Sequence, residues 1–194
     1  MGSERRLFLA APLDDDARHA LASFLTGGAM PEVPGRRVPP ENWHITLRFL
    51  GRSTALQQDK LLAALDQGLD QKPFSIGFAG LGAFPYPEKA TVVWLAVDHG
   101  GAALVDLAVA CERAAVAAGY DPEERPFHPH LSLSRVRPHL NLADLVAAVP
   151  RFPGRVAIDA VVLYESITGS NGARYVELDR VALRGSVNGD RDVG

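Results

Sequence analysis

Two short segments carry the chemistry of this chain: His44-Ile45-Thr46-Leu47 and His130-Leu131-Ser132-Leu133. Each reads His, apolar, hydroxyl, apolar. In an extended strand successive side chains point to opposite faces. The histidine and hydroxyl therefore share one face, while the two apolar residues enter a core. One copy is an ordinary half-buried strand. Two copies, one in each half of the chain, imply a site with two equivalent walls. Imidazole titrates near neutrality and serves as acid or base. Two imidazoles around one substrate suit acid–base chemistry on a phosphodiester. Thr46 and Ser132 would then donate hydrogen bonds to its non-bridging oxygens.

The remaining histidines are weighed against that pair. His19 occupies a polar position of a helix, His99 a turn and His139 a loop, and all three read as solvated. A zinc site on His128 and His130, with His139 as third ligand, is the competing reading. Pro129 distorts the strand inside that pair, and no carboxylate or second H-x-H accompanies His44. No metal ligand or cofactor is assigned. Gly-rich phosphate loops and the G-x-S-x-G elbow of serine hydrolases are missing from the sequence. Arg48 has the strand parity of His44 and Thr46, so it is expected on their face as a phosphate contact, or else as a solvated strand-end charge. Arg36 and Arg37 read as solvated loop charges, and Phe8, Trp43 and Trp94 as packing residues.

These residues need elements to hold them. Strands are expected over residues 5–12, 43–50, 74–84, 91–97, 130–136, 156–166 and 173–183. Helical spacing marks residues 17–25, 56–69, 102–118 and 142–149, with Asp14, Asp15 and Asp16 at the first N-terminus and Gly27-Gly28 at its end. Residues 31–40 and 121–129 are the Pro-containing loops that lead into the two histidine strands. Strands and helices mix without a regular βαβ beat, so the expected class is α+β. The second half restates the first.

Composition bounds the rest. The 194 residues, 47% hydrophobic and 22% charged, describe a globular chain able to bury a core. A net charge of −3 supplies no global field for long nucleic acid, so phosphate binding must be local. Arginine far outnumbers lysine among the 20 basic residues, which favours forked recognition of phosphate. The single cysteine, Cys111, forms no intrachain disulfide and reads as core. No signal-peptide pattern or membrane-length apolar run is present, so the expected location is the cytoplasm.

The segments Trp43-His44-Ile45-Thr46-Leu47-Arg48-Phe49-Leu50-Gly51 and Pro129-His130-Leu131-Ser132-Leu133-Ser134-Arg135 resemble the paired H-x-[ST]-x signatures of the 2H phosphoesterase superfamily. Its bacterial and archaeal RNA 2′,3′-cyclic phosphodiesterases, also described as 2′-5′ RNA ligases, are the nearest branch. Arg6 to Ala10 and the Trp94 segment are similar to that branch too. Ser132 stands where Thr is commoner.

The resemblance implies a bilobal fold with pseudo-two-fold symmetry, in which two antiparallel sheets line a central cleft and helices pack outside. Residues 1–185 would form this single domain, one motif per lobe, and 186–194 a flexible tail. It implies metal-independent hydrolysis of RNA 2′,3′-cyclic phosphate ends or cyclic nucleotides to 2′-phosphomonoesters, with reverse 2′-5′ ligation, by a monomer. His44 is expected as the acid on the leaving 3′ oxygen and His130 as the base on water, or the reverse. Arg135 matches a phosphate-side arginine of the family. Its parity is opposite to His130, so a bulge or strand end must turn it inward. Other outcomes within reach are 2′-5′ oligoadenylates, ADP-ribose cyclic phosphate, or RNA-end binding without catalysis.

Overall fold

A computed structural model describes residues 4–27, 31–146, 150–169 and 172–184. Gly28, residues 147–149 of the fourth expected helix and the expected tail at 186–194 lie outside the described residues.

The architecture is α+β, with two antiparallel sheets. The first contains β1 (Arg5–Pro12), β3 (His44–Ser53), β8 (Ala160–Gly169) and β9 (Gly172–Ala182), in the order β3-β1-β8-β9. The second contains β2 (Arg36–Arg37), β4 (Phe74–Phe84), β5 (Ala90–His99), β6 (His130–Leu140) and β7 (Val156–Ile158), in the order β2-β6-β5-β4-β7. The motif strands β3 and β6 therefore belong to different sheets, and they approach each other where the sheets meet.

Helices α1 (Asp15–Thr26), α2 (Ala55–Gly68), α3 (Gly101–Ala117) and α4 (Ala143–Val146), with short 3-10 turns at Pro40–Asn42 and Pro87–Lys89, complete the described elements. The Asp14 carboxylate caps α1 by accepting from the Ala17 N–H at 2.7 Å. Thr54 and Gln57 cap α2 reciprocally. Helices α2 and α3 pack together, and α3 lies against β3. Leu9 and Ile45 from the first sheet, Phe78 and Leu131 from the second, and Leu61 and Leu107 from helices join one continuous core. Burying each such side chain stabilises the fold by about 1.5–3 kcal/mol.

Three expectations change. The lobes are not sequence halves, because β4 and β5 build the second-motif sheet while the C-terminal hairpin β8–β9 returns to the first. Residues 156–166 form two strands, since β7 pairs with β4 and β8 with β1. The chain changes sheets at Asp159, whose carbonyl accepts from the Leu183 N–H at 2.7 Å. Finally, Arg36 and Arg37 are an edge strand on β6 and not a free loop. Within the described residues no helix is long and apolar enough to cross a membrane.

Candidate active site

Both motif strands carry the same irregularity. In β3, Ala10 faces Thr46 but Leu9 faces Arg48, so Leu47 is an extra residue in the ladder. In β6, Trp94 faces Ser132 but Val93 faces Ser134, so Leu133 is extra. A β-bulge of this kind reverses the side-chain alternation beyond it. The residues at +4 from each histidine, Arg48 and Ser134, turn under the sheet and are buried. Those at +5, Phe49 and Arg135, return to the face of the histidine and are exposed.

The two arginine expectations thus part company. A bulge precedes Arg135 and gives it the strand parity of His130. Arg48 is not on the face of His44 and Thr46: it is 8% exposed and pairs with Glu112 of α3. Its guanidinium also donates to the carbonyls of Phe49 and Asp121. Plain alternation missed this because it assumes an unbroken ladder.

Arg48 and Ser134 form a reciprocal tie. Arg48, on the first motif strand, holds Asp121 in the loop that leads to His130. Glu112 extends that hold by accepting from the Glu123 N–H at 3.0 Å. Ser134, on the second motif strand, donates to the Pro34 carbonyl at 2.7 Å, in the segment that leads to His44. Each motif strand thereby positions the approach to the other. Replacing Arg48 by Met leaves Glu112 without its cation and the Asp121 carbonyl without its donor. Denaturant unfolding should show a loss of about 3 kcal/mol, with part recovered in Arg48→Met/Glu112→Leu. A raised KM with unchanged stability would instead place Arg48 at the substrate.

The imidazoles are fixed alike. His44 Nδ1–H donates to the Asn42 carbonyl at 2.7 Å, and His130 Nδ1–H to the His128 carbonyl at 2.6 Å. A carbonyl only accepts, so in both rings Nδ1 carries hydrogen and Nε2 is left for chemistry. Nε2 of His44 lies 3.0 Å from the Thr46 hydroxyl, which donates to it while the ring is neutral. Ser132 faces Trp94 across the ladder and is partly exposed beside His130.

Aromatic rings floor both walls. Phe8, Tyr164 and Tyr175 lie 5.0, 6.0 and 5.1 Å from His44, centroid to centroid. Phe84 and Trp94 lie 4.9 and 5.8 Å from His130. Gly82 faces Trp94 across the ladder, and any Cβ there would stand 2.1 Å from the indole. Phe8 is buried, and Trp43 is buried with its indole N–H donated to the Val38 carbonyl, as packing residues. The tyrosines come from β8 and β9, whose return to the first sheet leaves no local sequence signal.

This surrounding sets the titration. Burial pushes the His44 pKa down from 6.5 to about 4. The Asn42 carbonyl partly opposes that, and the charge of His130 adds to it. Burial likewise lowers His130, against the hydrogen bond to His128 and with the help of the His128 charge. Among the described residues no three His, Cys, Asp or Glu side chains converge as a metal site. The arrangement presents two imidazoles that hold hydrogen on Nδ1, with Nε2 of His44 accepting from Thr46, and the exposed Arg135 on the strand of His130.

Comparison with known proteins agrees in family and fold. A family model for the 2′-5′ RNA ligase superfamily matches residues 32–169. The RNA 2′,3′-cyclic phosphodiesterase of Escherichia coli is 31% identical over 187 residues, covering 94% of this chain and 99% of that protein. The corresponding Aeropyrum pernix protein is 34% identical over 161 residues, covering 79% and 89%. The crystal structure of E. coli LigT in its apo form superposes with a TM-score of 0.76 at 28% identity, covering 93% and 98%.

Proposed function

The chain belongs to the 2′-5′ RNA ligase superfamily, and from that membership we propose that it hydrolyses RNA 2′,3′-cyclic phosphate ends to 2′-phosphomonoesters by metal-independent two-histidine catalysis. The observation that carries this reading is the matched pair of imidazoles. Both hold hydrogen on Nδ1 through a backbone carbonyl two residues upstream and keep Nε2 for proton transfer.

The step balances with these groups. Nε2 of His130 takes a proton from water as its oxygen bonds to phosphorus. The bond from phosphorus to O3′ breaks, and Nε2–H of His44 delivers its proton to O3′. The products are a 2′-phosphate and a free 3′-hydroxyl, and solvent resets the two rings. Once His44 is protonated it no longer accepts from Thr46, whose hydroxyl turns to a non-bridging oxygen while Ser132 serves another. Arg135 neutralises the phosphate charge. With a 5′-hydroxyl in place of water as the nucleophile, the same groups acting in the same direction form a 2′-5′ linkage. One chain supplies both walls, so a monomer suffices, and we place its work in the cytoplasm.

The pH dependence tests the pair. The reactive state holds one proton between the two rings. In the free protein burial has lowered both, His44 to about 4 and His130 below 6.5. The singly protonated pair therefore dominates only on the acid side of 6.5, and the proton that rests on His130 in the free protein must pass to His44 once substrate is bound. For 2′,3′-cyclic AMP, kcat/KM should peak there and fall about tenfold per pH unit above it. Bound phosphate stabilises imidazolium, so kcat should keep its bell at higher pH than kcat/KM. A flat profile between pH 5 and 8, or an absence of hydrolysis, would contradict the proposal.

A further inference from the structure

Arg36 lies outside the catalytic set, yet it is mounted as firmly as any residue in it. Strand β2 pairs with β6 so that Arg36 faces Arg135 and Arg37 faces Ser134. The Val38 N–H donates to the carbonyl of the bulged Leu133 at 2.7 Å. Ser134 holds the Pro34 carbonyl from below. Gly35, at φ +90°, lets the segment come this close, since a Cβ there would stand 2.6 Å from the Arg135 carbonyl oxygen.

Residues facing each other across an antiparallel pair put their side chains on one face. Arg36 thus stands beside Arg135 on the face of His130. Its guanidinium extends to the opposite sheet. It lies over Gly172 at the start of β9, where a Cβ would come within 2.3 Å of Nη2. Neither Arg36 nor Arg135 has an ion pair or side-chain hydrogen bond among the described residues. Like charges directly opposed across a ladder destabilise it unless an anion lies between them.

We propose that Arg36 holds the phosphodiester one nucleotide upstream of the cyclic end, making this site selective for RNA chains over cyclic mononucleotides. The inference rests on the functional reading above. A cyclic mononucleotide has a single phosphate, which the histidines, hydroxyls and Arg135 occupy. An oligonucleotide brings a second one, and Arg36 is the planar, permanently charged donor next to the first.

The test compares 2′,3′-cyclic AMP with a short single-stranded RNA ending in a 2′,3′-cyclic phosphate, on wild type, Arg36→Ala and Arg36→Lys. Arg36→Ala should raise KM for the RNA about tenfold, the size of one charge-assisted hydrogen bond, and leave kcat/KM for 2′,3′-cyclic AMP within about twofold. Arg36→Lys should fall between. The dependence of log kcat/KM on log salt for the RNA should lose about one phosphate contact from its slope. The melting temperature of Arg36→Ala should equal or slightly exceed that of wild type, since the side chain is exposed and its loss relieves the repulsion from Arg135. An equal loss on both substrates would put Arg36 on the reacting phosphate, and no loss on RNA would remove it from the site. Either overturns the inference while leaving the two-histidine reading intact. Wild type inactive on both substrates would overturn the two together.

Discussion

Replacing His44 or His130 by alanine should lower kcat on a 2′,3′-cyclic end by about 10²–10⁴-fold, the range expected for losing a positioned acid or base. The double variant should cost much less than the product of the two, because the groups act as one unit. Both proteins should remain folded. His44 sits against Phe8, Tyr164 and Tyr175, so His44→Gln is the second variant, filling space without titrating. The His44 variants carry a second signature, in stability. Unfolded histidine takes a proton near pH 6.5, whereas folded His44 refuses it until about pH 4. Wild type therefore loses stability as pH falls through that window, and a protein without His44 should lose less. Near-normal kcat in either alanine variant would end the two-histidine account.

The hydroxyls come next. Thr46→Val and Ser132→Ala should each lower kcat by about a hundredfold, as loss of one oxyanion donor does, with a smaller change in KM. The reason is timing. In the free protein the Thr46 hydroxyl is held by His44 Nε2, so it reaches phosphate only when that ring carries its proton. Its contribution belongs to the reacting state and not to ground-state binding. Thr46→Ser and Ser132→Thr should retain most of the rate. A raised KM with kcat unchanged would show that these hydroxyls merely bind.

The sequence made some of this visible and hid the rest for identifiable reasons. Alternation in His44-Ile45-Thr46-Leu47 and His130-Leu131-Ser132-Leu133 placed histidine and hydroxyl together, because up to those bulges the ladders are regular. Beyond Leu47 alternation fails, which sent Arg48 to the wrong face. For Arg135 the need for a bulge could be stated, since its parity conflicted with the family pattern. Arg36 and Arg37 read as loop charges because a two-residue strand has no period to detect. Residues 156–166 read as one strand, since the exposed Asp159 between buried Ile158 and Ala160 keeps the alternation of a single strand and so does not mark the change of sheet. The return of β8 and β9 to the first sheet is a long-range pairing, and with it came the unforeseen tyrosines beside His44.

The central claim is that two imidazoles, without a metal, open a cyclic phosphate toward its 2′-monoester. The most direct measurement is hydrolysis of a short RNA with a 2′,3′-cyclic end in excess EDTA, separating 2′- from 3′-phosphate product. The account predicts 2′-phosphate alone, at the rate seen without chelator. A 3′-phosphate product, or activity lost in EDTA and restored by zinc, would contradict it.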